Sequence, residues 1–411
     1  MSELYREDLL FADADVLSQG FSVAERLSTE GLSQDVEALI LLEREIPVTV
    51  GMDTSLRPKI LDKCGMTCTF CHNEGTPVAS SRREGNVLLP NPTYRGGRVS
   101  VFEQSNGVDF VPGIMEPDEA FSASLEKMRL SIGATELHLT GGEPTLHRSL
   151  PNLISNARRA GFSVKMTSNG ENGARTLKEC AEAGLEKVNF SIFGTTPQEL
   201  AEVQHEKYNN VKLAEVKLNA LRHSIDTALE HGIKVDANIV MSDASHAERV
   251  KRIINEYDDR VSIRILNDLD AGDASYISIY ELMSELDAVP VQLYVEAGSS
   301  NSRVKYLLPD GRAIYFKQIR RTTLPETCTD CSLNNDIDCK EGYYGVRLYI
   351  DAQGSYKVGV CLQRMDLTMD IDNFVTSPIA QEVNMLRMNE FEQLTNHYAS
   401  RIAGYGEVDN E

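Results

Sequence analysis

From about residue 57 to 290, short β-rich runs alternate with helical stretches six times, and this alternation constrains the fold more than any other feature of the chain. Two parallel strands can be joined only by a crossover, which a helix supplies, so repeated strand-helix units build a parallel sheet. The strand candidates are 57–63, 135–140, 163–169, 187–193, 234–241 and 261–267. The first helix opens at Pro117; Phe121, Leu125 and Met128 recur at helical spacing, and Gly133 stands where a helix stop belongs. Similar patterns occupy roughly 149–160, 173–183, 211–231, 246–257 and 274–288. Six such units form either an open doubly wound sheet or a partial barrel, and in both the active site gathers at the strands' C-terminal ends.

The flanks obey other rules. Residues 1–56 read as a helical extension ahead of a 57–290 core, which is interrupted at 76–116 by an insertion rich in Gly, Pro, Asn and Arg. That insertion is either a lid or a surface loop. After Val289 strand pairs replace strand-helix units, with Pro309-Asp310-Gly311 as a hairpin turn, so 291–376 is expected to be a smaller second domain. Residues 377–411 read as a helix and an acidic tail.

A formal charge of −21 over 411 residues opposes adsorption to nucleic acid or to an anionic membrane. No apolar run approaches the roughly 18 residues of a membrane helix. The N-terminus also carries acids where a signal peptide has positive charge, so a cytoplasmic protein is expected. In that compartment clustered cysteines argue for metal rather than disulfides. The eight fall as Cys64, Cys68 and Cys71, a lone Cys180 in a helical pattern, and Cys328, Cys331, Cys339 and Cys361.

The first group places three thiolates within eight residues on the loop after the first strand. Three ligands leave one iron of a four-iron cluster open, as chemistry at the cluster requires. A structural zinc site or packed free thiols are the competing readings, zinc normally taking four closed ligands. His72 follows directly, as a fourth ligand, as a group behind the ligands or as a solvent-facing side chain. The remaining strand ends carry Thr140-Gly141-Gly142-Glu143-Pro144, Thr167-Ser168-Asn169-Gly170, Ser191 and Met241. Glycines there permit the close backbone approach that a ligand needs. Each is also compatible with an ordinary turn, or for Met241 with a core methionine. The second group, opening with a Cys-x2-Cys pair, fits either a second cluster or a zinc ribbon.

Taken together, Cys64-x3-Cys68-x2-Cys71 and the later motifs resemble the radical S-adenosylmethionine (SAM) superfamily in order and spacing over roughly residues 57–270. The resemblance implies a partial (β/α)6 TIM-like barrel with a smaller C-terminal auxiliary-cluster domain of twitch or SPASM type. It implies a [4Fe-4S] cluster on Cys64, Cys68 and Cys71 whose open iron chelates SAM, and reductive cleavage of SAM to a 5′-deoxyadenosyl radical that abstracts hydrogen from a substrate. By the same resemblance Phe70 and Met241 lie against the adenine, while Gly141, Gly142, Glu143 and Pro144 receive the amino group. Ser168 and Asn169 meet the ribose, and Ser191 meets the carboxylate. An external electron donor such as flavodoxin or ferredoxin is implied as well.

The segment ending at Cys361 is similar to the C-terminal part of the GTP cyclases of molybdenum-cofactor biosynthesis. There Cys328, Cys331 and Cys361 match the ligands of an auxiliary [4Fe-4S] cluster, and Cys339 has no counterpart. If Cys339 also binds, that cluster is closed. His147 and Arg148 stand where the cyclase has an arginine after its GGEP motif, Arg347 matches one of its later arginines, and the tail lacks its terminal Gly-Gly. The expected substrate is therefore a small or nucleotide-like molecule in a biosynthetic pathway. A peptide-modifying maturase and a non-catalytic iron-sulfur scaffold are the alternatives.

Overall fold

The computed structural model describes residues 21–68, 70–71, 82–84, 87–89, 113–335, 339–362 and 364–405. His72 and most of the 76–116 insertion lie outside the described residues, as does the end of the tail. Two short helices, α1 (Val23–Arg26) and α2 (Gln34–Glu43), precede strands β1 (Val48–Met52) and β2 (Ser55–Pro58). Within the insertion β3 (Arg82–Glu84) and β4 (Val87–Leu89) pair with each other. Then come α3 (Glu119–Ile132), β5 (Glu136–Leu139), α4 (Leu150–Arg159), β6 (Ser163–Ser168), α5 (Gly173–Glu182) and β7 (Lys187–Ile192). They are followed by α6 (Pro197–Glu202), α7 (Val211–Glu230), β8 (Lys234–Met241), α8 (Ala247–Glu256), β9 (Val261–Asn267) and α9 (Asp273–Glu285). The C-terminal part holds β10 (Val289–Ala297), β11 (Asn301–Leu307), β12 (Ala313–Ile319), β13 (Val346–Ile350), β14 (Tyr356–Gly359) and β15 (Met369–Asp370). It ends in α10 (Ile371–Phe374), α11 (Pro378–His397) and β16 (Ile402–Tyr405).

Strand order decides between the two parallel architectures. The six strands β2-β5-β6-β7-β8-β9 are hydrogen-bonded neighbours in chain order, all parallel. An order that never reverses has no switch point, and with right-handed crossovers it places the helices on one face. This is the partial (β/α)6 barrel rather than the doubly wound sheet. Local signals set the helix ends: Asp118 caps α3 by accepting from Phe121 N, and Gly133 stops it at φ 62°.

The flanks depart from expectation. Residues 48–52, expected as part of a helical extension, are strand β1, which pairs in parallel with β10 and β16. Strands β10–β12 also do not stand apart: β12 pairs in parallel with β9, and the arc continues as β12-β11-β10-β1-β16. On the other side β13 pairs with β2, and β14 and β15 follow outward. Among the described residues, the chain past 290 thus extends one fourteen-stranded sheet at both ends. The first barrel strand is also shorter than 57–63. Beyond Pro58 the carbonyls of Leu61 and Lys63 turn to the Gly142 and Glu143 amides instead of a ladder.

The core lies between the sheet and its helices. Leu137, Leu139, Val164, Met166, Val188, Phe190, Ala237, Ile263 and Ile265 are fully buried there. The alternate positions, which face the other side of the sheet, are His138, Lys165, Thr167, Lys187, Asn189, Ser191, Asp236, Asn238 and Arg264. The barrel's inner face is therefore polar. Among the described residues no helix is long and apolar enough to cross a membrane.

Candidate active site

The C-terminal ends of β2, β5 and β6 meet through backbone. Gly142 N donates to Leu61 O at 2.9 Å and Glu143 N to Lys63 O at 2.7 Å. A Cβ on Gly142 would stand 2.1 Å from Lys63 O, and one on Gly141 2.6 Å from Leu61 O, so the paired glycines let this loop lie directly on the cysteine loop. Glu143 follows with 1 % of its surface exposed. Its carboxylate accepts from Thr145 N (3.0 Å), Thr145 Oγ1 (2.6 Å), Ser168 Oγ (2.7 Å) and Asn169 N (2.7 Å). Burial pushes its carboxyl up while these donors pull it back. Glu143 and Ser168 thus hold each other, joining the β5 and β6 loops; Ser168 Oγ also accepts from Gly170 N at 2.9 Å.

The cysteine loop is gripped from two sides. On one, Asn169 Nδ2 donates to Cys64 Sγ at 3.4 Å, Glu171 accepts from Gly65 N at 2.8 Å, and Lys217 Nζ donates to Gly65 O at 2.7 Å. On the other, Gln204 Oε1 accepts from Thr67 N at 2.8 Å and Gln204 Nε2 donates to Cys68 Sγ at 3.6 Å. Cys64, Cys68 and Cys71 pack in one cluster with Met66, Leu200 and Leu218. Burial, Cys71 and Cys64 push the Cys68 thiol up to about 12. The positive charge of an iron-sulfur core would offset that mutual repulsion and hold the three groups as thiolates, so this donor set fits such a group.

Around it, Phe70 is half exposed with its ring edge-on to Phe193, centroids 5.1 Å apart. Ser191 is partly exposed near the end of β7, in register with Asn238. Pro144 is buried and opens a single 3-10 turn. Met241 does not join the group: it is fully buried, and its carbonyl accepts from Ser275 Oγ. Cys180 is fully buried in the core, where burial pushes its thiol up to about 12.

A second gathering lies near β13 and β14. Cys328, Cys331, Cys339 and Cys361 line one cleft, together with Tyr343 and Arg364. The buried Glu382 on α11 accepts from Glu326 N (2.6 Å) and Thr327 N (2.9 Å), fixing the turn that presents Cys328. Burial pushes the Cys328 thiol up to about 11 and the Cys339 thiol up. Among the described residues no three His, Cys, Asp or Glu side chains converge as ligands of a single metal ion.

The model of the radical SAM superfamily matches residues 59–256, which holds the cysteine loop and the β5 to β8 strand ends. The chain is a radical SAM enzyme. It is 25 % identical over 324 residues to a probable GTP 3′,8-cyclase of Metallosphaera sedula, covering 77 % of this chain and 83 % of that one. To a GTP 3′,8-cyclase of Staphylococcus carnosus it is 22 % identical, covering 68 % and 76 %. A solved structure of native anSMEcpe with bound AdoMet aligns over 84 % of this chain and 82 % of its own, at 14 % identity and TM-score 0.46. As a radical SAM enzyme the chain uses SAM and a [4Fe-4S] cluster.

The inner face carries charge that motif reading missed. Asp236 pairs with Arg264 (2.8 Å) and Lys187 (3.4 Å), and Lys165 pairs with Glu136. Arg303 stacks on Tyr294, 4.7 Å from the ring centroid, while Arg57 and Arg347 flank Tyr344 at 4.5 and 4.9 Å. Burial pushes the Glu341 carboxyl up, and Ser300, Lys317, Arg57 and Arg347 pull it back, which places those three cations around one acid. Gln204, Glu171 and Lys217 were missed too. Only Glu171, adjoining the Thr167–Gly170 motif, carried a local signal.

Proposed function

We propose that Cys64, Cys68 and Cys71 hold the SAM cluster, and that the barrel interior takes an anionic, nucleotide-like small molecule from which hydrogen is abstracted. The outcome of that abstraction is a cyclisation, rearrangement or oxidation in a biosynthetic pathway. The observation that carries the substrate class is the basic inner wall. In a chain of net charge −21, Arg57, Arg264, Arg303, Lys317 and Arg347 stand on inner-face positions with Glu341 and Asp236 among them. A low-dielectric concavity in which cations outnumber acids concentrates anionic ligands, and guanidinium groups match phosphate oxygens.

SAM bound to the cluster supplies the hydrogen-abstracting radical; the chain's own residues bind, orient and exclude water. Gly141 and Gly142 offer close backbone approach, and Glu143, Ser168 and Asn169 fix the strand-end loops. Ser191 is within reach of ligand on the inner face, and Phe70 offers an exposed aromatic surface beside the cysteines. Residues 291–376 carry the auxiliary centre, a second iron-sulfur cluster on Cys328, Cys331, Cys339 and Cys361. The four thiols line one cleft, and this supports a shared centre there. Electrons come from an external flavodoxin- or ferredoxin-like donor in the cytoplasm.

GTP cyclisation itself is not the proposal. His147, where the cyclase has its arginine, is buried with Nε2 2.8 Å from Met115 O, and Arg148 is exposed. The test is formation of 5′-deoxyadenosine by the reduced enzyme, with candidate nucleoside triphosphates and with basic or neutral peptides. Stimulation by an anionic nucleotide, lost in Arg303→Ala, supports the reading. Stimulation by peptides alone sinks it and favours a maturase.

A further inference from the structure

The two side-chain amides beside the cysteine loop have orientations fixed by neighbours that can only donate. Thr67 N–H, 2.8 Å from Gln204, requires an oxygen there, so Nε2 is the atom 3.6 Å from Cys68 Sγ. Likewise Glu171 N–H, 2.9 Å from Asn169 Oδ1, leaves Nδ2 facing Cys64 Sγ at 3.4 Å. Both side chains are buried, Gln204 to 6 % and Asn169 to 7 % exposure, so water does not compete for the sulfurs from their side. Gln204 is tied further: its backbone forms a bridge with Cys68, and His205 N donates to Thr67 O at 2.9 Å. It sits just beyond α6, whereas Asn169 directly follows β6. The cysteine loop is therefore clasped by amides from two separate strand-helix connections.

We infer that Gln204 and Asn169 are positioning residues that raise the reduction potential of the SAM cluster by donating amide hydrogen bonds to the Cys68 and Cys64 thiolates. An N–H aimed at a ligand sulfur withdraws electron density and stabilises the more negative, reduced cluster; hydrogen bonds to sulfur are one of the protein's levers on such potentials. The cost of reaching the reductant's level is thereby lowered at two of the three ligands. The third thiol, Cys71, has a different neighbourhood, its own N–H going to Cys68 O at 3.2 Å. This inference rests on Cys64, Cys68 and Cys71 being the cluster ligands.

The test uses the full chain, anaerobically reconstituted, as wild type, Gln204→Met and Asn169→Ala. Methionine nearly keeps the shape of glutamine and removes the donor. Iron and sulfide are counted, and a redox titration follows the electron paramagnetic resonance signal that changes on adding SAM, which separates this cluster from any other. At a fixed potential the reduced-to-oxidised ratio should fall about tenfold in each variant, a midpoint about 59 mV lower for one electron. A cluster-replete variant titrating at the wild-type midpoint overturns the inference. If Gln204→Met assembles no cluster, Asn169→Ala carries the comparison. Loss of the cluster in both variants also overturns it, leaving purely structural roles. A wild type without any SAM-responsive signal would instead defeat the ligand assignment itself.

Discussion

Truncating Glu143 should loosen the junction between the β5 and β6 loops by an amount the structure allows to be worked out. In Glu143→Ala two hydroxyls, Thr145 Oγ1 and Ser168 Oγ, can rotate to other acceptors, but the Thr145 and Asn169 amides cannot. An unsatisfied buried donor costs about 1–3 kcal/mol, so two cost about 2–6 kcal/mol. The variant also escapes the burial of a carboxylate, whose penalty shows in the upward push on its carboxyl. That relief leaves roughly 2–4 kcal/mol of local destabilisation. Hydrogen exchange of peptides spanning 140–171 reads local opening directly. At about 1.4 kcal/mol per factor of ten, exchange of the Asn169 amide should speed up roughly 30- to 1000-fold. Glu143→Gln should fall between, since its oxygen still serves one side while its amide opposes Asn169 N–H. Unchanged exchange in Glu143→Ala would refute the reasoning that this acid holds the loops together.

Other outcomes follow from the same geometry. Gly142→Ala places a methyl against the Lys63 and Asp62 carbonyls, 2.1 and 2.6 Å away, so the two loops must part. Iron incorporated on reconstitution should drop by more than half while the chain stays soluble, and a full complement would count against it. Glu43 is buried among Tyr280, Tyr306 and Gln318, and burial raises its carboxyl above the ordinary 4.5. A raised folded value means that the fold favours the protonated form. Its stabilising share is present below about pH 4.5 and is lost as pH rises through the folded value. Glu43→Gln should then gain on the wild type in urea unfolding as pH climbs from 4.5 to 7, and parallel profiles would exclude this.

The parallel arc was legible because its grammar is local: each strand-helix unit advertises itself within about 30 residues, and the cysteine spacing lies within eight. What joined the arc was not legible. Strands β1, β10 and β16 pair across separations of more than 100 residues, and no periodicity records such a partner. The same holds inside the site. Gln204 and Lys217 reach the cysteine loop from 136 and 152 residues away, and nothing in their own segments marks them. Met241 reads as a strand-end residue, yet alternation along β8 turns it to the helix side, where it is fully buried. The Ser168 motif was visible, but that its hydroxyl is committed to Glu143 needed the fold.

The central claim is that three thiolates leave a SAM-cleaving iron open. It is tested most directly by incubating the dithionite-reduced, reconstituted enzyme with SAM alone and measuring 5′-deoxyadenosine and methionine. The wild type should release both in equal amounts, slowly and without substrate, and Cys68→Ala should release neither. Cys328→Ala should retain this uncoupled cleavage. Undiminished cleavage in Cys68→Ala, or none in a cluster-replete wild type, would contradict the account.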